Sequence, residues 1–145
     1  MFELVQRIEI DAPGGRASGV AAVPADHPAL LDHFPDRPLL PGTWCLELAA
    51  QIAGPLVEEA LGDGRFAVLA MVQRARFIAP VELPTTVHIE AVITRREPST
   101  TVVETTVFRG GLLRARAELV FAHVGGATPA AIAARDTRLA RWKVG

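Results

Sequence analysis

The sequence has few of the features that mark several common classes of protein. Its 145 residues include a single cysteine, Cys45, which excludes a disulfide framework and a zinc site built from several cysteines. Positive and negative side chains nearly balance, 15 against 16, which argues against the basic face of a general nucleic-acid binder. No apolar run approaches the ~18 residues of a membrane span. Glu3 and Glu9 stand where a signal peptide needs an apolar stretch, so we expect a soluble, cytoplasmic protein.

The motifs of several familiar catalytic sites are also missing. The chain has no G-x-S-x-G nucleophile turn and no G-x-x-x-x-G-K-[ST] phosphate loop. The histidines show neither H-x-x-x-H nor H-E-x-x-H spacing, so we expect no metal and no cofactor. Cys45 lies among apolar neighbours and is expected to be a small core residue, not a nucleophile.

The first forty residues predict a hairpin and a loop. Half of all residues are hydrophobic, and a chain of this length is expected to form one core. Two segments rich in apolar and β-branched residues, Phe2–Ile10 and Arg16–Val23, flank a turn and predict a β-hairpin. Five prolines between Pro24 and Pro41 then predict an ordered loop, because each proline fixes φ and removes a hydrogen-bond donor.

The middle of the chain predicts a buried helix followed by strands. After Pro41-Gly42, apolar residues recur at helical spacing around most of the circumference, with Pro55 inside and Gly62 as the stop. Other structure should therefore wrap around this helix. We expect the strands that follow to form a meander in which sequence neighbours pair. These strands are Arg65–Gln73, Ala75–Ile78, Thr85–Arg96, Thr100–Arg109 and Leu112–His123.

The fold class predicted from this order is α+β, with one long central helix wrapped by a curved antiparallel sheet. We assign residues 1–124 to this domain and residues 125–145 to a C-terminal extension with a short helix, capped by Thr128 and begun at Pro129. A single curved sheet has an exposed edge and an open face, and dimerisation would cover both.

One of the four histidines stands out. His27, His88 and His123 are expected to have structural or surface roles, because they lie in a loop or on strands with nothing catalytic beside them. His33 lies in the run HFPDRPLLPG, where prolines hold a short loop just before the buried helix. For this segment alone, a functional imidazole and one that only hydrogen-bonds to the backbone remain equally open.

Glu47 favours the functional interpretation of His33. It lies on the second turn of the helix among apolar neighbours, where a carboxylate is costly unless it is paired or used. A Glu47 that faces solvent or pairs with an arginine is the alternative. Gln51, four residues on, shares its face and is expected to orient it. The N–H of Gly42 lies at the positive end of the helix and suits a carbonyl oxygen, so these groups form an acid–base set for removing a proton next to a carbonyl.

The run HFPDRPLLPGTWCLELAAQIAG, followed by ARFIAPVELP, resembles the FabZ-type (3R)-hydroxyacyl-acyl carrier protein dehydratases of the hot-dog fold superfamily. The resemblance spans about Pro24 to Val92. It implies that His33 takes the C2 proton of a 3-hydroxyacyl thioester, that Glu47 helps the 3-hydroxyl leave as water, and that the Gly42 N–H holds the thioester carbonyl. It also implies acyl carrier protein as partner and a homodimer or trimer of dimers, because the histidine and the acid of one site come from opposite subunits.

The resemblance further implies an apolar acyl tunnel along the central helix. The substrate-binding residues it assigns are Gly42, Gln51, Phe34, Trp44 and Met71. Met71 stands where the family usually has glycine, and Trp44 stands where a small or aliphatic residue is expected, so both would alter the acyl chain that fits. The phosphopantetheine arm would enter near Arg74 or Arg76, which are otherwise ordinary solvated residues of a strand.

Two alternatives to a dehydratase of fatty-acid or polyketide-like synthesis stay open. The first is a thioesterase, because hot-dog proteins share a thioester pocket and a glutamate on the same helix can activate water instead. The second is a non-catalytic acyl-binding subunit, in which Met71 and Trp44 have closed the pocket to turnover. The presence of both His33 and Glu47 argues against the second alternative.

Overall fold

The structure is a computed structural model that describes residues 3–30 and 36–145. In these ranges the elements are β1 (Val5–Asp11), β2 (Arg16–Val23), a 3₁₀ turn (Pro28–Leu30), α1 (Gly42–Leu61), β3 (Phe66–Phe77), β4 (Thr85–Arg96), β5 (Thr100–Arg109), β6 (Leu112–Val124) and α2 (Pro129–Val144). Neither α1 nor α2, the helices of the described part of the chain, is long and apolar enough to cross a membrane.

β1 and β2 form the predicted hairpin. Its turn is held by the Asp11 carboxylate, which accepts a hydrogen bond of 3.0 Å from the Gly14 N–H. Gly15 follows with φ of 67°, a left-handed conformation that glycine adopts without steric cost. The pairing shifts between Val5 and Arg7, which places a bulge in the first strand.

α1 is the buried helix that the sequence predicts. It ends at Gly62, whose φ is 65° and whose N–H donates to the Glu58 carbonyl at 3.1 Å. Pro55 lies inside the helix without ending it. α1 contacts all six strands, so the sheet wraps around it as predicted. The side chains buried between helix and sheet include Leu48, Ile52, Leu56, Val57, Val87, Ile89, Val103, Leu119 and Phe121.

The order of the strands differs from the prediction at one position. The sheet runs β1-β2-β4-β5-β6-β3 with antiparallel pairing throughout. β4, β5 and β6 form the predicted meander, but β3 pairs with β6 and not with β4, so that part of the prediction is wrong. The place beside β4 is taken by β2, with Val23 opposite Thr85, and β3 therefore completes the other end of the sheet.

The two strands predicted as Arg65–Gln73 and Ala75–Ile78 are one strand, β3. Arg74 lies between them with φ of 51°, and the pairing with β6 shifts between Gln73 and Arg76. This irregularity is a β-bulge, which bends a strand without ending it. The sequence pattern is interrupted at the bulge, which explains the predicted break.

α2 spans 16 residues, so the C-terminal helix is longer than the short helix predicted. The Thr128 hydroxyl caps it by accepting a hydrogen bond of 3.1 Å from the Ala131 N–H, and Pro129 is its first residue. Leu139 and Trp142 are buried, and the helix packs against β1. α2 therefore lies against β1, the strand at one end of the sheet, while the division of the chain at residue 124 stays a prediction.

The opposite edge of the sheet is apolar and exposed. Among residues 3–30 and 36–145, β3 pairs on one side only, with β6. Its large apolar side chains, with the residue that follows it, are between 39% and 53% exposed. We call this surface the β3 edge; it consists of Val68, Leu69, Met71, Val72, Phe77 and Ile78.

Candidate active site

Glu47 and Gln51 make the contact that their spacing predicts. Glu47 is half-buried on the second turn of α1, and the Gln51 Nε2 donates a hydrogen bond of 3.0 Å to its Oε1. Residues four apart on a helix share one face, which brings the amide to the carboxylate. Gln51 therefore fixes the position of the acidic side chain.

Glu47 lies at one end of a cleft of about 390 Å³ that follows α1. We call it the Glu47 cleft. α1 contributes the small residues Ala50 and Gly54 to its wall, and the far end reaches Glu58. From Glu47 to Glu58 the helix rises by ~16 Å. The remaining lining residues are Glu3, Gln51, Pro55, Ala67, Leu69, Phe121, Arg138 and Trp142.

Glu58, at the far end of the cleft, was not predicted as a site residue. Burial raises the pKa of its carboxyl group, while the Ala67 N–H, which donates to Oε2 at 3.0 Å, and the charge of Arg135 act in the opposite direction. A signal was available, because a residue eleven positions after Glu47 is about three helical turns away and returns to the same face. Glu58 and Glu47 therefore line the same cleft, together with Glu3.

Gly42 lines a different cavity, of about 630 Å³ and mostly apolar, at the start of α1. We call it the Gly42 cavity. Phe77 packs over Gly42 so closely that a Cβ at this position would lie 2.9 Å from the ring, so only glycine fits without a shift. Five positions separate Gly42 from Glu47, which places them ~140° apart around the helix. One chain therefore presents the helix start and the carboxylate to separate cavities.

Two predicted site residues, His33 and Phe34, lie outside the described residues. The described chain resumes after them at residue 36. Leu39 then forms an isolated bridge with Glu82 and lines the Gly42 cavity. The chain that follows His33 is thus fixed beside the Gly42 cavity.

Trp44 and Met71 line neither the Glu47 cleft nor the Gly42 cavity. Trp44 is half-buried and meets the His27 ring edge to face, with ring centroids 5.0 Å apart. Met71 is 51% exposed on the β3 edge. Trp44 lies one helical turn before Glu47 on α1, yet the cleft at Glu47 is lined by neither Trp44 nor Met71, and their roles in substrate binding stay predictions.

The remaining histidines have local partners. The His88 Nε2 lies 3.4 Å from Glu90 Oε1 on the same strand. The His123 Nε2 lies 2.7 Å from the Thr101 hydroxyl, which joins the ends of two neighbouring strands. These contacts fit the surface and structural roles that the sequence favours for them.

Cys45 and the two arginines also have plain environments. Cys45 is buried, and desolvation raises the pKa of its thiol to about 11, so a thiolate nucleophile is disfavoured. Arg74 and Arg76 are exposed on β3, and Arg74 Nη1 lies 4.0 Å from Glu118 Oε2. Among residues 3–30 and 36–145, no group of three or more His, Cys, Asp and Glu side chains is placed to hold a metal ion.

Comparison with known proteins identifies the family. Residues 9–108 match the family model described as ApeI-like, ApeI dehydratase. The chain belongs to the ApeI-like dehydratase family. Two relatives of this ApeI-like chain are named 3-hydroxyacyl-[acyl-carrier-protein] dehydratase FabZ. The one from Natranaerobius thermophilus is 38% identical over 122 residues, covering 83% of this chain and 86% of its own. The one from Solibacter usitatus is 32% identical over 121 residues, covering 82% and 74%.

Solved structures show that the ApeI-like chain shares its fold with thioester-binding proteins. A Streptococcus mutans protein bound to acetyl CoA matches with a TM-score of 0.68 at 20% identity, over 88% of this chain and 94% of that one. A Haemophilus influenzae thioesterase matches with a TM-score of 0.64 at 19% identity, over 81% and 78%. Together with the helix wrapped by the sheet, these matches confirm the predicted hot-dog fold. Membership of a dehydratase family confirms the predicted enzyme class, a hydro-lyase.

Proposed function

We propose that the protein dehydrates 3-hydroxyacyl thioesters carried on acyl carrier protein to trans-2-enoyl thioesters, in cytoplasmic fatty-acid or polyketide-like synthesis. The observation that carries the proposal is Glu47, held by Gln51 at the end of a cleft, in a chain of a dehydratase family. The names of the FabZ relatives supply the substrate class and the carrier.

The reaction needs a base at C2 and an acid at the 3-hydroxyl. His33 removes the C2 proton, and the electrons of that bond form the C2–C3 double bond as the C3–O bond breaks. Glu47 donates a proton to the departing hydroxyl, which leaves as water. The Gly42 N–H carries the charge that develops on the thioester oxygen, since it belongs to the unpaired N–H groups at the helix start. The proton on His33 then returns to Glu47 through solvent, and the enzyme is reset.

Each reaction centre is built from two chains of a homodimer, or of a trimer of dimers. Gly42 and Glu47 of one chain line separate cavities, which supports a site that joins the Gly42 side of one subunit to Glu47 of the partner subunit. The β3 edge is apolar and pairs on one side only, and a two-fold related copy can cover it by pairing the same strand.

The experiment is a panel of 3-hydroxyacyl thioesters on carrier protein, in which enoyl absorbance and free thiol are followed together. Enoyl formation without thiol is expected. Thiol release without enoyl would make the protein a thioesterase, and silence on both with the dimer intact would make it an acyl-binding subunit; either result overturns the proposal.

Two variants test the roles of the acid and the base. His33→Ala and Glu47→Gln should each lower the rate by at least ~100-fold, because general acid–base groups contribute effects of that size. Glu104→Gln changes an exposed strand carboxylate that pairs with Arg116 and should keep the activity. Retention of most activity by either the His33 or the Glu47 variant would contradict the role given to that residue.

A further inference from the structure

We propose that α2 forms the far wall of the acyl site and that Trp142 and Arg138 set the longest acyl chain the enzyme accepts. The inference rests on the proposed function, because it takes the Glu47 cleft as the acyl site. α2 lies beyond residues 9–108, the part of the chain that the family model matches. The specificity it confers is therefore a property of this chain's own C-terminal segment.

The direction of the acyl chain follows from the position of Glu47. Glu47 acts at the C3 hydroxyl, so the carbons from C4 onward leave Glu47 along the cleft. Between Glu47 and Glu58 the wall of α1 includes two small residues, Ala50 and Gly54, beside Gln51 and Pro55. A Cβ built on Gly54 meets one atom within 4 Å, the Phe121 Cε1 at 3.8 Å, so the space beside the helix is open.

α2 stands across the far end of this open space. Trp142 is buried and lines the cleft, and the Arg138 guanidinium carbon lies 5.3 Å from the centre of the Trp142 ring. Glu58 lies at the same end. A longer acyl chain would first meet the ring and would then desolvate charged groups, which is unfavourable for apolar carbon. The bulk of Trp142 and the charges of Arg138 and Glu58 therefore both limit the length of the acyl chain.

The wall is fixed to the rest of the fold. Arg141 donates to Glu3 at 3.0 Å, and Lys143 pairs with Glu59 on α1. Leu139 is buried beside Trp142 in the core. These contacts hold α2 against both β1 and the end of α1, so that its side chains define a constant boundary.

The test is the profile of kcat/KM against acyl-chain length on carrier-bound 3-hydroxyacyl substrates. Arg138→Ala and Trp142→Ala should each raise kcat/KM by about tenfold for the first chain length that the wild type rejects, measured relative to the shortest substrate. A change of this size is expected because one methylene group in a hydrophobic pocket changes kcat/KM by about tenfold. Gly54→Ala adds a methyl group to the opposite wall and should shift the profile toward shorter chains.

The matched control is Thr137→Ala, an exposed residue of α2 next to Arg138 that does not line the cleft, and its profile should match that of the wild type. If Trp142→Ala does not fold, the Arg138→Ala and Gly54→Ala variants still test the proposal, because Arg138 is exposed and a Cβ at Gly54 has its nearest contact, the Phe121 ring, at 3.8 Å. Unchanged profiles in the active Arg138 and Gly54 variants would overturn the role of α2 and leave the dehydratase intact. A wild type that dehydrates no chain length would instead overturn the proposed function.

Discussion

The two edges of the sheet differ in what packs against them. At the β1 edge, α2 packs against the strand, Leu139 and Trp142 are buried, and Arg141 forms an ion pair with Glu3. At the β3 edge, within the described part of the chain, the backbone has a partner on one side only and the apolar side chains are exposed. An uncovered edge invites pairing with another chain.

The difference determines which assemblies are available. A sheet with two open edges can add copies at both and grow without limit. With α2 packed against β1, the β3 edge is the more open one, and pairing of this strand from two copies closes as a two-fold dimer. The same helix that packs against β1 also lines the Glu47 cleft, through Arg138 and Trp142.

The largest effect is expected from a charge on the β3 edge. Val72→Asp places a carboxylate where an apolar side chain, 39% exposed in one chain, would be buried by a partner. We expect a monomer in size-exclusion chromatography with light scattering. Because the proposed site takes groups from two chains, the dehydratase rate should fall by at least ~100-fold.

The control for this variant is Leu112→Asp. Leu112 is 61% exposed, but it lies at the start of β6, outside the β3 edge. This variant should stay dimeric and active. A Val72→Asp protein that remains a dimer would contradict the interface, whereas a fully active monomer would contradict the shared site.

Most local features could be predicted from the sequence, because they depend on neighbours in the chain. The bounds of β4 and β5 match the prediction, since alternation of apolar and polar residues reports which face is buried. The contact of Gln51 with Glu47 follows from their spacing. The glycine at position 62 marks the end of α1 as expected.

Contacts between distant parts of the chain could not be predicted in this way. Alternation identifies β3 as a strand but carries no information on its partner, so its place beside β6 was missed. The covering of β1 by α2 rests on contacts such as Arg141 with Glu3, which are 138 residues apart. Glu58 was missed for a different reason. Its spacing from Glu47 is visible in the sequence, but the residues of other elements that line the same cleft are not.

A smaller effect is expected at the covered edge. Leu139→Ala removes buried apolar volume beneath α2 and should lower the free energy of unfolding by ~2–3 kcal/mol without changing the oligomeric state. Denaturant unfolding at fixed protein concentration measures it, because dimer stability depends on concentration. Thr137→Ala on the same helix should change stability by less than ~0.5 kcal/mol. Dissociation of the Leu139 variant into monomers would show that the two edges are coupled.

The smallest effect on stability is expected from Glu58, whose carboxyl group lies beneath α2, and this effect depends on pH. Burial raises the pKa of Glu58 above its ordinary value of 4.5, so the folded state holds this proton more tightly than the unfolded state. The stability that this provides is present below pH 4.5 and is lost as pH rises through the folded-state pKa. Glu58→Gln keeps an oxygen for the Ala67 N–H and carries no charge, so it should gain stability over the wild type as pH rises toward neutral.

Because Glu58 is only half-buried, solvent screening limits this gain to less than ~1 kcal/mol. The measurement is the free energy of unfolding of wild type and variant from acid to neutral pH. Glu9→Gln, the same change at an exposed carboxylate of β1, is the matched control. The decisive result is the sign of the stability difference between the variant and the wild type as pH rises. If the Glu58→Gln protein loses stability relative to the wild type, the attraction of Arg135 and Arg138 for the carboxylate outweighs its burial. In that case α2 is held to α1 by charge instead of by apolar packing.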